Sequence, residues 1–151
     1  MATHLTEGQK APDFTGTDQD ANKISLKEFK GKKVVLYFYP EDDTETCTVQ
    51  ACNLRDNHSL LQQQGFIVIG ISPDDVQSHQ RFWEKYNLPF TLIADPQHKI
   101  IDKYGVWGEK NLYGRTYMGL HRTTFIINAK GIIEKILTRP RSKIHAAEIL
   151  G

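Results

Sequence analysis

Two uninterrupted apolar segments constrain the fold of this chain more than any other feature. Residues 32–40 have the sequence KKVVLYFYP and residues 66–72 have FIVIGIS, both rich in β-branched and aromatic residues without polar alternation. Such runs are typical of strands that are buried on both faces of a sheet. Residues 46–64, which lie between them, contain neither glycine nor proline and favour a helix that ends before Gly65. This order predicts an α/β fold with a covered sheet.

The rest of the chain continues the alternation of strands and helices. Ser25 and Glu28 fit the capping box of a short helix. The other predicted elements are, in chain order, a hairpin over 11–26, a helix over 74–87, a strand over 90–95, a short helix over 97–105, a loop over 106–121, two strands around the turn NAKG, and a terminal helix over 142–150. This order predicts a thioredoxin-like fold, with a central mixed β-sheet flanked by helices, in a single domain over 1–151.

The charge of the chain gives no sign of a polyanionic partner. The 19 Lys and Arg residues nearly balance the 18 Asp and Glu residues, for a net charge of +1. We therefore expect no nucleic acid and no membrane as partners. No apolar run approaches the ~20 residues of a membrane-spanning helix, and the first residues lack the pattern of a signal peptide. These features predict a cytoplasmic protein.

The two cysteines of the chain, Cys47 and Cys52, are its strongest chemical signal. In a reducing cytosol such a pair is more often catalytic or metal-binding than a permanent disulfide. On a helix that begins near Thr44 or Thr46, the spacing predicts a buried stripe made of Cys47, Ala51, Leu54, His58 and Leu61. Cys47 then lies in the first turn, where unpaired N–H groups and the helix dipole stabilise a thiolate. Cys47 is therefore predicted to be a nucleophile.

Carboxylates precede this thiol in the sequence. The segment EDDTE (41–45) carries four of them just before Cys47, and negative charges within about 6 Å of a thiol raise its pKa. An ordinary thiol, with a pKa of ~8.5, is only a few per cent ionised at neutral pH. A cation from a distant part of the chain is therefore expected to offset these charges. Arg122, at the start of RTTFIIN, is the best-placed candidate.

The spacing of the cysteines also limits how they react with each other. In an intact helix, residues five apart have Cα atoms roughly 8 to 9 Å apart, which exceeds the ~7 Å limit for a disulfide. A bridge between Cys47 and Cys52 would require the helix to unwind, so we hypothesise a cycle between a folded and a locally unwound state. The two cysteines and His58 diverge on one helix, so no zinc site is predicted. We expect His58 to be a hydrogen-bonded core histidine.

Several motifs resemble those of peroxiredoxins. The segment PEDDTETC fits their PxxxTxxC signature through Pro40, Thr44 and Cys47. CTVQACNLRD resembles the CxxxxC helix of the subfamily known as bacterioferritin comigratory protein or peroxiredoxin Q. APDF near the start, VVLYFYP, GVWGEK and the arginine-bearing strand HRTTFIIN agree with that subfamily as well. The resemblance covers nearly the whole chain, in order.

The resemblance implies a thioredoxin-like fold and a thiol peroxidase that reduces hydrogen peroxide and organic hydroperoxides without a metal or other cofactor. Cys47 corresponds to the peroxidatic cysteine, which becomes a sulfenic acid, and Cys52 to the resolving cysteine, which condenses with it into an intramolecular disulfide. Thioredoxin or a similar dithiol would reduce that disulfide, and we expect a monomer because both thiols lie on one chain. By the same resemblance, Thr44 donates its hydroxyl to the peroxide, Arg122 holds the thiolate and polarises the O–O bond, and Pro40 shields the pocket from water.

The chain departs from many of these relatives at three positions. Glu45 and Thr46 stand where many carry Pro-Gly, and Gln50 stands where many carry glutamate. All three positions are variable in the signature, so the departures bear on rate and substrate preference and leave the chemistry in place. We also expect Thr44 to cap the helix and Pro40 to end the preceding strand.

Two other functions remain open from the residues alone. A general thiol–disulfide oxidoreductase shares the fold but normally uses a CxxC pair, which is absent here. The chain could also be a binding or holdase module on which the cysteines only sense oxidants. Peroxide-dependent turnover separates the predicted enzyme from both alternatives.

Overall fold

A seven-stranded mixed sheet runs through the protein, whose computed structural model describes residues 3–151. The strands are β1 (Thr15–Asp18), β2 (Lys23–Ser25), β3 (Lys33–Phe38), β4 (Phe66–Ser72), β5 (Thr91–Ala94), β6 (Trp107–Leu112), β7 (Arg115–Leu120), β8 (Thr123–Ile127) and β9 (Ile133–Leu137). The large sheet has the order β2-β1-β5-β4-β3-β8-β9, and β6 pairs with β7 in a separate two-stranded sheet. This central mixed sheet, flanked by helices, confirms the predicted fold class.

Five α-helices accompany the sheet in the described part of the chain. They are α1 (Glu45–Asp56), α2 (His58–Gln63), α3 (Val76–Lys85), α4 (Lys99–Tyr104) and α5 (His145–Leu150), with short 3₁₀ helices at Leu26–Phe29 and Ser142–Ile144. None of the helices between residues 3 and 151 has the length and apolar character needed to span a lipid bilayer.

Strand β3 lies in the interior of the sheet, where both of its apolar faces are covered. It pairs in parallel with β4 and antiparallel with β8. Since successive side chains of a strand point to opposite faces, Leu36 and Phe38 pack into one hydrophobic cluster while Tyr37 and Tyr39 pack into the other. The second cluster includes Cys47, so this face of the sheet supports the thiol.

The predicted hairpin and capping box near the start of the chain are confirmed. β1 and β2 pair antiparallel, and the backbone N–H of Ser25 donates to the Glu28 carboxylate at 2.6 Å. The turn NAKG also joins two antiparallel strands, β8 and β9, as predicted.

The single helix predicted over 46–64 is wrong, because the structure has two helices separated at Asn57. The side-chain amide of Asn57 donates to the carbonyl of Asn53 at 2.9 Å. Asparagine side chains compete with the backbone for hydrogen bonds and disfavour helix interiors. The interruption leaves the first helix only 12 residues long, with both cysteines on it.

The loop predicted over 106–121 is also wrong, because this segment forms the β6–β7 hairpin. Its turn has positive φ at both central residues, 51° at Tyr113 and 80° at Gly114. Type I′ hairpin turns need this geometry, and Asn-Gly or Asp-Gly usually supplies it. Tyrosine rarely takes the first position, so the sequence lacked the usual hairpin signal.

Candidate active site

The fold places Cys47 in the first turn of α1, as the sequence predicts. The helix begins at Glu45, directly after the loop that follows β3. Cys47 is 2% exposed and packs with Ala51 and Leu54 against the sheet. Cys52, on the same helix, is half-buried, and both thiols are free.

A guanidinium group lies beside the buried sulfur. Arg122 Nη2 donates to Cys47 Sγ at 3.0 Å, and Arg122 Nη1 donates to Gln50 Oε1 at 3.2 Å. Arg122 immediately precedes β8, and the pairing of β8 with β3 carries it to the end of the sheet next to α1. A positive charge in contact with sulfur favours the thiolate.

Two further polar groups of this site are buried without a partner. Tyr37 Oη and Gln50 Nε2 have no hydrogen-bond partner within residues 3–151. Burial raises the pKa of Tyr37 well above its ordinary value, and the charges of Cys47 and Asp42 add to the shift. The Tyr37 phenol is therefore neutral and keeps its hydrogen. The site thus contains two buried hydrogen-bond donors that have no acceptor among the described residues.

Thr44 and Pro40 flank the loop before the thiol. Thr44 is the N-cap residue of α1 by position, with an extended backbone, but its side chain makes no capping bond. The Thr44 hydroxyl donates instead to the carbonyl of Glu41 at 3.2 Å, so the predicted side-chain cap is wrong. Pro40 follows Tyr39, whose N–H still donates to Ile71, and has no N–H with which to continue the strand.

Two carboxylates of the loop, Asp42 and Asp43, have partners other than Arg122. Asp43 accepts from Lys85 Nζ at 2.7 Å and from Tyr86 Oη at 2.8 Å, and the bond with Lys85 holds the pKa of Asp43 below its ordinary value. Asp42 is buried in contact with His79 at 2.7 Å. The prediction that Arg122 offsets these acids is therefore incomplete: Arg122 contacts the sulfur, while residues of α3 contact Asp42 and Asp43.

An open groove of about 950 Å³ adjoins the thiol site. Arg122 and His121 line the groove together with Lys110 from the β6–β7 hairpin and Arg139 from the segment after β9. Lys110 Nζ donates to the Leu120 carbonyl at 3.0 Å, and burial lowers the pKa of Lys110, with a further contribution from Arg122. Arg122 thus connects the buried sulfur with a cationic surface that is open to solvent.

His58 does not take part in this site. It is half-buried, and its ring packs on Phe90 with centroids 6.4 Å apart. Burial lowers the pKa of His58, and its ring has no hydrogen bond with the described residues. The prediction of a hydrogen-bonded core histidine at this position is therefore wrong.

Sequence reasoning missed three residues of the site and its surroundings. Gln50 was singled out only as a departure, although its spacing from Cys47 places it on the buried side of α1. Tyr37 carried a signal too, because its spacing of two residues from Tyr39 places both side chains on the same face of the extended chain. His79 had no local signal, since nothing in its neighbourhood on α3 indicates that its partner is Asp42.

These features define a class of protein. A buried thiol in the first turn of a helix, in contact with an arginine on a thioredoxin-like fold, is the arrangement of an enzyme with an activated cysteine nucleophile. A model of the AhpC/TSA family matches residues 7–136. The chain belongs to this family, and it is a peroxiredoxin that reduces peroxides with a cysteine thiol.

Individual relatives agree along nearly the whole length of the chain. It is 47% identical over 144 residues to a putative peroxiredoxin bcp of Coxiella burnetii, covering 95% of each chain. It is 44% identical over 146 residues to peroxiredoxin Bcp of Escherichia coli, covering 97% of this chain and 94% of the other. The crystal structure of peroxidoxin BcpB from Mycobacterium tuberculosis superposes with a TM-score of 0.86 at 29% identity, covering 97% of this chain and 95% of that one.

Proposed function

We propose that Cys47 is the peroxidatic cysteine of this peroxidase and Cys52 its resolving cysteine. The contact of 3.0 Å between Arg122 Nη2 and Cys47 Sγ carries the proposal. It stabilises the thiolate, which is the nucleophilic form of cysteine. Cys52 Sγ receives no hydrogen bond from a lysine or arginine within the described residues, although the charge of Arg55 interacts with it.

In the first step, Cys47 Sγ attacks one oxygen of the hydroperoxide. An S–O bond forms, the O–O bond breaks, and the second oxygen leaves with a proton as water or an alcohol, so that sulfur is oxidised to a sulfenic acid and the peroxide is reduced. Charge develops on the departing oxygen, and donors aimed at it lower the barrier. Arg122 and the Thr44 hydroxyl are the proposed donors. The unpartnered hydrogens of Tyr37 and Gln50 suit the same oxygen-rich substrate, and Pro40 limits the access of water.

In the second step, Cys52 attacks the sulfenic sulfur, a disulfide forms and water leaves. The two thiols lie on one helix of 12 residues, so α1 has to unwind before they meet. Asn53 opposes this motion. Its amide donates to the Lys143 carbonyl at 2.9 Å and its oxygen accepts from Ala146 N–H at 2.8 Å. We propose that both contacts open when the disulfide forms.

A dithiol of the thioredoxin type is the proposed reductant of that disulfide. We propose a cytoplasmic monomer, since both redox thiols are on one chain and the net charge of +1 offers no footprint for nucleic acid or a membrane. The seven-stranded sheet includes strands from Thr15 to Leu137, which supports a single domain over 1–151.

Cys52→Ser tests the division of labour between the thiols. Mixed with hydrogen peroxide, this variant is expected to consume about one equivalent per chain and to stop, because the sulfenic acid of Cys47 has no partner thiol. In a coupled assay with thioredoxin, thioredoxin reductase and NADPH, the wild-type chain should cycle and the variant should not. Full cycling by Cys52→Ser would contradict the proposed role of Cys52.

This assay and two further measurements, of disulfide transfer and of aggregation, distinguish the alternative functions. Disulfide transfer to a protein substrate without peroxide would favour a general oxidoreductase role for this site. Suppression of aggregation without peroxide consumption would favour a holdase. Peroxide-dependent NADPH oxidation that requires the chain supports the peroxidase.

Thr44→Val tests the role of the hydroxyl. We expect the second-order rate constant with hydrogen peroxide to fall roughly 10-fold to 100-fold, since a hydrogen bond to a charged group contributes about 1.5 to 3 kcal/mol. Thr44→Ser, which keeps the hydroxyl, is the matched control and should retain most of the rate. Stopped-flow measurement of a single turnover gives the rate constant directly, and equal rates for Val and Ser would exclude this role.

A further inference from the structure

A buried hydrogen-bond network lies behind the active-site loop. The Asp42 carboxylate accepts from Tyr39 Oη at 2.6 Å and from Ser78 Oγ at 2.8 Å, and it contacts His79 Nδ1 at 2.7 Å. His79 Nε2 lies 3.0 Å from the carbonyl of Ile93. The side chains of His79 and Asp42 are 0% and 4% exposed. The network therefore joins the loop to α3 and β5, and its central His79–Asp42 pair is shielded from solvent.

The geometry shows which protons the pair holds. A carbonyl oxygen only accepts, so His79 Nε2 carries a hydrogen. Two hydroxyl donors favour the ionised form of the Asp42 carboxylate, and an ionised carboxylate also only accepts. His79 Nδ1 therefore carries a hydrogen as well, and the ring is a buried imidazolium paired with a carboxylate.

We propose that His79 is a positioning residue for the peroxidatic site, which holds the loop before Cys47 in place and cancels the charge of Asp42 so that the Cys47 thiolate is not destabilised. The inference rests on the proposed role of Cys47. It answers why an acidic loop can precede a nucleophilic thiol: its buried carboxylate has its own cation on α3.

Two stacked tyrosines link the Asp42 carboxylate to the hydrophobic cluster that contains Cys47. Tyr39, which donates to Asp42, stacks on Tyr37 with ring centroids 5.4 Å apart. The Tyr37 hydroxyl is affected by the charges of both Asp42 and Cys47. Charges separated by buried aromatic rings are poorly screened. Without the imidazolium, Asp42 would therefore oppose ionisation of Cys47.

The other titratable groups around the pair do not replace His79. Asp74, which accepts from the backbone N–H of Asp42 at 2.8 Å, is a second carboxylate, and burial raises its pKa, with a further contribution from Asp42. Burial also raises the pKa of Tyr39 well above its ordinary value, so this phenol is neutral. Cys47 itself is in contact with Arg122 and shares a buried cluster with Tyr37. Among these groups His79 is the cation in contact with Asp42.

The test uses the Cys52→Ser background, in which Cys47 is the only thiol, and follows the ultraviolet absorbance of its thiolate against pH. His79→Gln keeps a side-chain donor and removes the charge. We expect the midpoint of thiolate formation to rise by about one pH unit, which lowers the thiolate population about 10-fold at a pH below both midpoints. The rate constant with hydrogen peroxide should fall by the same factor at that pH.

Asp42→Asn separates charge from structure. Both Asp42→Asn and His79→Gln loosen the loop, but only His79→Gln leaves a buried carboxylate without a cation, so Asp42→Asn should not raise the midpoint. The double variant Asp42→Asn/His79→Gln should restore it. Lys85→Met is a matched control, because its pair with Asp43 is exposed and screened by solvent, and should shift the midpoint by less than about 0.3 pH unit.

Several results would overturn the proposal. One is a folded His79→Gln chain in which the midpoint of thiolate formation is unchanged. Another is a rise of this midpoint in Asp42→Asn that equals the rise in His79→Gln. If His79→Gln does not fold, Asp42→Asn and the double variant still decide, because a raised midpoint in either one contradicts charge cancellation. The thiolate readout does not require turnover, so it is independent of whether Cys47 proves to be the peroxidatic residue.

Discussion

Replacement of Cys47 by serine is expected to abolish peroxide-dependent oxidation of NADPH in the thioredoxin-coupled assay. A serine hydroxyl is not ionised at neutral pH, so the nucleophile is lost, and we expect the rate to fall by roughly a thousand-fold or more. Serine is close in size to cysteine and the site is buried, so the fold should persist. Circular dichroism and the thermal unfolding midpoint of the variant check that it does.

The control for this prediction is Cys52→Ser, which keeps one peroxide consumed per chain. Cys47→Ser should consume none, although it carries the same chemical change on the same helix. A Cys47→Ser chain that kept full peroxidase activity would show that the attacking thiol lies elsewhere and would remove the basis of the proposed cycle.

Replacement of Arg122 by methionine is expected to have the second-largest effect. Arg122 Nη2 contacts Cys47 Sγ at 3.0 Å, so the variant loses the cation beside the sulfur and the proposed donor to the developing oxyanion. Losing one such donor in other enzymes lowers rates on the order of 100-fold to 1000-fold. We expect a decrease of that order in the second-order rate constant with hydrogen peroxide, measured by stopped flow on the reduced protein.

Lys130→Met is the matched control for Arg122→Met. Lys130 is an exposed residue in the turn between β8 and β9, at the other end of β8 from Arg122. The substitution removes the same formal charge as Arg122→Met without changing the thiol site. Because distant exposed charges are screened, the rate constant of this variant with hydrogen peroxide should stay within about two-fold of wild type. Equal rates for the two variants would show that Arg122 acts only through net charge.

The sequence by itself determined the layers of the fold and the place of the Cys47 thiol. The unbroken apolar runs before and after residues 46–64 allowed only buried central strands, and they became β3 and β4. The spacing of Cys47, Ala51 and Leu54 placed the thiol on the sheet side of the first turn. These features are local, because the hydrophobic periodicity and composition of a few consecutive residues indicate which face of a helix or strand is buried.

Only the tertiary structure decided which side chains meet at the thiol. Arg122 is 75 residues from Cys47 and His79 is 37 from Asp42, and no local periodicity links members of such pairs. Strand pairing of β8 with β3 and packing of α3 against the sheet bring them together. The β6–β7 hairpin and the break at Asn57 were likewise settled by backbone geometry and side-chain hydrogen bonds that override local propensity.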